Sequence, residues 1–111
     1  MNAAKQSPRM EQDGTLRWYA GDTFTLTFAF NLKDDQGNPI TINPTDELEV
    51  KFSNLKGEEL ASFSITGQSS IDLVFTEQIS VKFPEGVYSV LAKFNATNVT
   101  TLLKSNRVVV E

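Results

Sequence analysis

The feature that most constrains the fold is a strict alternation of large apolar and small side chains in residues 22–30. Phe24, Leu26, Phe28 and Phe30 occupy every second position, with Thr or Ala between them. Side chains two apart point the same way in a strand, whereas on a helix each would turn by about 200° from the last and scatter around the axis. The β-branched Thr residues also favour a strand. This segment is therefore predicted to be a strand with one apolar face.

The same period of two recurs downstream, between short segments rich in the Gly, Pro, Asn, Asp and Ser that are typical of turns. Segments 47–53 and 59–65 flank Asn54-Leu55-Lys56-Gly57 and are predicted to form a hairpin. Segment 76–83 alternates weakly and fits either a strand or a connection. The other predicted strands cover 71–75, 87–94 and 99–110, the last with a bulge or turn at 104–107.

Seven or eight short strands, with a turn about every eight to twelve residues and no convincing helix, predict an all-β fold. The expected architecture is an antiparallel β-sandwich. Eight Phe residues suit two sheets about 10 Å apart, because their flat rings fill the space between the sheets. Tyr88 enters a late strand after a tight turn at 84–86, and is interpreted either as a tyrosine corner or as an ordinary core tyrosine.

The length of 111 residues predicts one domain, which buries roughly two thirds of the surface that its unfolded chain exposes. Residues 1–14 are polar or small and show no periodicity, so they are predicted to be a flexible N-terminal arm. Residues 15–111 are predicted to form the sandwich. The arm is also a candidate strand or clasp for a neighbouring molecule, since an open sandwich has unpaired edges.

Composition excludes several kinds of chemistry. The chain has no Cys and no His, so it lacks thiolate and imidazole groups for catalysis or for a zinc site, and we expect no metal or cofactor. Its net charge is −4 and its ten Lys and Arg residues are scattered, which argues against a nucleic-acid partner. No apolar run approaches the roughly eighteen residues of a membrane span. We therefore expect a protein that binds neither nucleic acid nor membrane, and in which only carboxylates, hydroxyls and amines are left for any catalysis.

Acidic residues offer two candidate sites, and each has a simpler interpretation. Asp34, Asp35 and Asn38 surround Gly37 in an oxygen-rich loop of the kind that can bind calcium, but their spacing differs from an EF-hand and a β-turn explains each of them. A hydrolase using two carboxylates is a further alternative, which requires such groups to meet in a cleft. The paired glutamates in the sequence are Glu47 with Glu49 and Glu58 with Glu59.

Arg17, Trp18 and Tyr19 form the candidate interaction site. These residue types dominate the hot spots of protein interfaces, and here they lie where the arm joins the sandwich. In the alternative interpretation, Trp18 closes the open end of the core. The sequence leaves both interpretations open.

Four motifs occur in a fixed order along residues 16–110. They are Gly21-Asp22-Thr23 at a strand start, Lys33-Asp34-Asp35-Gln36-Gly37-Asn38-Pro39-Ile40 at a turn, Glu49-Val50-Lys51-Phe52 in a strand, and Pro84-Glu85-Gly86-Val87-Tyr88 at the entry to a late strand. In this order they resemble small immunoglobulin-like modules of tailed bacteriophages, in particular the N-terminal domain of upper baseplate proteins from phages of Gram-positive bacteria.

This resemblance implies an immunoglobulin-like sandwich that serves as a virion or prophage structural module, made in the bacterial cytoplasm. Its partners would be other tail or baseplate proteins, or further copies of itself in a symmetric ring or trimer. Recognition would rely on shape and on strand edges, without catalytic residues. The alternative is an exported bacterial cell-surface or carbohydrate-binding sandwich, which would present an exposed aromatic platform.

Overall fold

The fold is built almost entirely from strands, which confirms the expected all-β class. The computed structural model describes residues 8–96 and 99–111. Within these ranges it contains eight strands and one short helix. The strands are β1 (Arg9–Met10), β2 (Leu16–Trp18), β3 (Phe24–Ala29), β4 (Glu47–Asn54), β5 (Glu59–Thr66), β6 (Ser70–Phe75), β7 (Gly86–Asn95) and β8 (Val99–Val110), and the helix is α1 (Glu77–Ser80).

Strand pairing produces two sheets. The larger has six strands in the order β1-β2-β8-β7-β4-β5, and the smaller pairs β3 with β6. The prediction of a wholly antiparallel arrangement is wrong at one pair, because β2 runs parallel to residues 108–110 of β8. These two strands come from opposite ends of the chain and no hairpin joins them. The alternation that identifies each strand therefore carries no information on their relative direction.

The predicted hairpin between β4 and β5 is confirmed. The two strands pair antiparallel over almost their whole length, with a register shift between Phe52 and Ser53. Their turn is closed by Asn54, whose Oδ1 accepts hydrogen bonds from the backbone N–H groups of Lys56 and Glu58, at 3.0 Å each. Asn is favoured at this position because its side-chain oxygen accepts hydrogen bonds from backbone N–H groups of the turn.

The last strand, β8, is continuous and carries a bulge. Val90 of β7 pairs with Asn106 of β8, and Ala92 pairs with Leu103, so two residues of β8 oppose one residue of β7. Ser105, inside the bulge, has a φ of 53°. Of the two alternatives for residues 104–107, the bulge is therefore confirmed.

Segment 76–83, for which the sequence allowed a strand or a connection, is a connection that forms a helical turn. Thr76 Oγ1 accepts a hydrogen bond from the N–H of Ile79 at 3.4 Å and caps α1. Ser80 donates its hydroxyl to the carbonyl oxygen of Asp22 at 2.6 Å, which ties the connection to the chain just before β3. The turn then directs Phe83 into the core, where its side chain is fully buried.

One core joins the inner faces of the two sheets. Phe52 of the larger sheet and Phe75 of the smaller sheet meet edge to face, with ring centroids 5.4 Å apart. Such contacts between aromatic rings add to the stabilisation from burial alone. The buried apolar residues are Leu16, Trp18, Phe28, Leu48, Val50, Phe52, Ile71, Leu73, Phe75, Phe83, Tyr88, Val90, Ala92, Phe94, Val108 and Val110.

The segment predicted as a flexible arm, 1–14, has two parts. Residues 1–7 lie outside the described residues. In the remainder, Arg9 and Met10 form β1 and pair antiparallel with Arg17 and Leu16 of β2. The turn between these strands is closed by a hydrogen bond from the N–H of Gly14 to the carbonyl of Glu11, at 2.9 Å. The ordered sheet thus begins before residue 15.

Tyr88 lies near the start of β7 and is 7% exposed. Its hydroxyl donates a hydrogen bond to the carbonyl oxygen of Pro84, four residues upstream. Both the phenol ring and this bond hold the tight turn at 84–86 against the core. The arrangement has the geometry of a tyrosine corner, in which a tyrosine hydroxyl bonds backbone a few residues earlier in the chain.

Candidate functional site

The structure separates the three residues of the candidate interaction site. Trp18 points into the core and is 1% exposed, so it presents no surface to a partner. Its ring contacts residues from both sheets and from the helical connection. The four neighbouring ring centroids are those of Phe24 and Phe75 at 5.1 Å, Phe83 at 5.8 Å and Phe52 at 6.1 Å. Trp18 thus occupies the position that the core-closing alternative assigned to it.

Arg17 lies on the opposite face of β2 and belongs to a charged cluster. Its Nε donates to a carboxylate oxygen of Glu11, and this hydrogen bond raises the pKa of Arg17 above its ordinary value. Arg9, its cross-strand neighbour, donates to Glu111 at 2.8 Å and lies with its guanidinium carbon 6.0 Å from the ring centroid of Tyr19. Each arginine is therefore paired with a glutamate. Arg9 links β1 to Glu111, which follows β8, and Arg17 links β2 to Glu11, which follows β1.

In the turn at 34–38, a side-chain oxygen of Asp34 bonds backbone N–H groups of the same turn. Asp34 Oδ1 accepts hydrogen bonds from the N–H groups of Gln36 at 2.9 Å and Asn38 at 2.8 Å. Gly37 has a φ of 84°, which is the left-handed region that glycine adopts at little cost. In residues 8–96 and 99–111, no group of three or more acidic side chains is arranged to hold a metal ion.

Of the glutamates considered for hydrolysis, Glu47, Glu49 and Glu59 lie on the outer face of the larger sheet, and Glu58 lies in the turn before β5. Lys51 Nζ is 3.8 Å from a carboxylate oxygen of Glu49 and 3.8 Å from one of Glu59. Glu49 also accepts a hydrogen bond from the side-chain amide of Asn95 on β7. These contacts form a ladder of charged and polar side chains across three strands. Its members are turned toward solvent on the side of the sheet away from the core.

The outer edge of β5 is a second candidate for interaction. β5 is the terminal strand of the larger sheet, and within the described ranges no strand pairs with its outer side. Its inward-facing side chains, Phe63 and Ile65, are only half-buried. They line a groove between β5 and β6, together with Ile71 and Asp72. Sequence reasoning predicted this strand but did not identify it as an edge, although its run of uncharged residues was a usable signal.

Comparison with known proteins gives no further guide to this surface, because no family model, curated protein or solved structure matches the chain. Among the described residues, no helix has both the length and the apolar character needed to cross a membrane.

Proposed function

We propose that this protein is a non-enzymatic, immunoglobulin-like module that positions other proteins in a phage or prophage tail or baseplate. The observation that carries the proposal is the open β5 edge on a scaffold of two sheets with one shared core. A rigid sheet with an unpaired edge offers a partner a fixed row of backbone donors and acceptors, and this is the usual means of strand addition.

Strand order supports the immunoglobulin-like part of the proposal. In that fold the strands, named A to G in chain order, form one sheet with B beside E and a facing sheet in the order G-F-C, which variable-type domains extend with C′. Here β3 lies beside β6, and the facing sheet runs β8-β7-β4-β5. The tyrosine corner at Tyr88 falls at the start of β7, which takes the place of strand F.

The distribution of aromatic residues favours this role over carbohydrate binding. A sugar-binding platform requires exposed rings, and Trp18 is buried. All eleven Phe, Trp and Tyr residues fall within 8–96 and 99–111, and none of them is exposed. Tyr19 is half-buried and has Arg9 over its ring. The exported cell-surface alternative therefore has no aromatic surface in this part of the chain from which to build a platform.

The proposal is tested by mass spectrometry of tailed particles purified from the bacterium that carries the gene. We expect peptides of this chain in amounts comparable to those of the tail proteins, and a gene flanked by tail, fibre or lysis genes. Absence from the particles, combined with binding on a glycan array, would support the exported carbohydrate-binding alternative and overturn the proposal.

A further inference from the structure

We propose that β5 pairs antiparallel with β5 of a second copy of this chain, around a two-fold axis at Phe63. This inference rests on the proposed role as an assembly module and names one of its partners.

The direction of the backbone groups follows from one hydrogen bond. Gly67, just after β5, donates its N–H to the carbonyl of Asp46, its neighbour across the hairpin, at 2.9 Å. In an antiparallel pair, residues that bond to the facing strand alternate with residues whose N–H and C=O point the other way. Counting back by twos from Gly67, Ile65, Phe63 and Ala61 are the residues that bond to β4. The residues between them, Ser62, Ser64 and Thr66, therefore point their N–H and C=O groups outward.

Over residues 61–66, this edge lacks the features that ordinarily prevent pairing. Exposed edge strands are ordinarily blocked by Lys, Pro, a bulge or very short length. Residues 60–66 contain no charge, no Pro and no Gly. The register shift of the hairpin leaves Leu60 without a partner in β4, so the bulge is confined to the start of the strand and residues 61–66 pair regularly. The opposite edge of the same sheet differs, since β1 has only two residues and carries Arg9.

The sequence of the edge favours a second copy as the occupant. A two-fold interface requires a strand that complements itself when reversed. Read outward from Phe63, the strand has Ser62 and Ser64, then Ala61 and Ile65, so that each direction presents a hydroxyl followed by an apolar side chain.

In this register the two-fold places Phe63 across from its own copy in a non-hydrogen-bonded pair, where facing side chains approach most closely. Ser62 then faces Ser64 of the second copy, and these residues exchange backbone hydrogen bonds. Glu59 falls across from the Gly67 position of the second copy, so no like charges are opposed. The half-buried side chains of Phe63 and Ile65 become covered.

Pairing of a single edge strand buries less than about 1,200 Å², the range of weak and reversible interfaces. We therefore expect a concentration-dependent dimer in sedimentation experiments between about 10 µM and about 1 mM. Ser64→Pro removes an outward N–H that bonds nothing in β4, and proline is tolerated at such edge positions. It is expected to weaken the dimer by roughly tenfold or more, because two symmetry-related hydrogen bonds are lost.

A charge-exchange experiment tests the register. Ser62→Lys with Ser64→Lys places lysines opposite lysines in the paired edge, and Ser62→Glu with Ser64→Glu does the same with glutamates. Each double variant is expected to be monomeric alone, and an equimolar mixture to form a heterodimer that weakens with added salt. The control is Gln36→Lys with Thr101→Lys, two exposed positions on elements that do not border β5, which should dimerise as the original chain does.

Thermal unfolding of each variant shows whether its fold is intact. The inference is overturned if the original chain stays monomeric throughout the concentration range, if it forms open-ended oligomers, or if the mixture of folded Lys and Glu variants stays monomeric. These outcomes leave the proposed function standing, since detection of the chain in tailed particles does not depend on β5 pairing. If the chain dimerises through β5 but is absent from such particles, the β5 pairing is supported and the proposed function is contradicted.

Discussion

At the residue scale, Tyr88 combines a buried ring with one satisfied polar atom. Its hydroxyl bonds the carbonyl of Pro84, and its ring meets Phe83 at a centroid distance of 5.1 Å. Burial raises the pKa of the Tyr88 phenol above its ordinary value, because the charged phenolate would lose its hydration. The neutral phenol is therefore the form that the folded state favours.

Tyr88→Phe keeps the ring and removes the hydrogen bond. We expect a loss of about 1 kcal/mol in the free energy of unfolding at neutral pH, measured by urea denaturation. The raised folded-state pKa means that the contribution of the hydroxyl is fully present below the unfolded pKa of about 10 and is lost as the pH rises through the folded value. The difference between the two proteins should therefore shrink above about pH 10. A difference that stays constant to higher pH would contradict this account.

Ser105 is the one described residue other than glycine with a positive φ, at 53°. In this left-handed region a side chain with a Cβ lowers the stability of the fold by about 1 kcal/mol, and glycine, which has no Cβ, avoids that loss. Ser105→Gly is expected to raise the free energy of unfolding by up to about 1 kcal/mol, and Ser105→Val to lower it. Ser62→Gly provides the control, since glycine at an ordinary strand position is expected to destabilise. Equal effects of glycine at both positions would show that the bulge conformation is not what limits stability.

At the scale of elements, the short helix α1 depends on its cap. A four-residue helix has few internal hydrogen bonds, so the bond from the N–H of Ile79 to Thr76 Oγ1 is a large share of its stabilisation. Thr76→Ala is expected to lower the free energy of unfolding by about 0.5 to 1 kcal/mol, while Thr76→Ser keeps the hydroxyl and most of that stability. Equal losses in the two variants, compared by thermal unfolding, would exclude the cap as the cause.

The alternating pattern was sufficient to identify the strands but not their arrangement. It located the β4–β5 hairpin because a short turn fixes the register of the two strands. It left 76–83 open because Ile79, Val81 and Phe83 alternate, although the helical turn leaves Val81 68% exposed and buries Phe83. The available signal was Thr76 followed by Glu77, a capping residue before an acidic first turn.

The candidate site was less predictable than the fold, because residue type does not reveal which face a side chain occupies. Arg17, Trp18 and Tyr19 were grouped by their frequency in interfaces, yet a strand turns successive side chains to opposite faces. Trp18 consequently faces the core while Arg17 pairs with Glu11 outside. The open edge of β5 was missed although its uncharged residues 60–66 were a usable signal, because edge position also depends on which distant strands pair.

At the scale of the whole molecule, the two sheets depend on each other. The smaller sheet has only β3 and β6, and an isolated pair of strands is marginally stable in water. Its stability must therefore come from packing on the larger sheet. Trp18 is central to that packing, because its ring contacts Phe24 and Phe75 of the smaller sheet and Phe52 of the larger. We expect the domain to unfold in a single cooperative transition.

Trp18→Ala tests this coupling between the sheets. Removing a large buried ring typically costs about 3 to 5 kcal/mol, a major part of the roughly 5 to 15 kcal/mol that stabilises a domain. Trp18→Phe should cost less because it retains a ring, and Leu55→Ala, at a position that is 73% exposed, should cost almost nothing. In folded Trp18→Phe, amide hydrogen exchange is expected to accelerate more in β3 and β6 than in β4 and β7, since the two-stranded sheet depends on packing to which Trp18 contributes its contacts with Phe24 and Phe75. Uniform acceleration across all four strands would show that Trp18 stabilises the fold as a whole without specifically holding the smaller sheet in place.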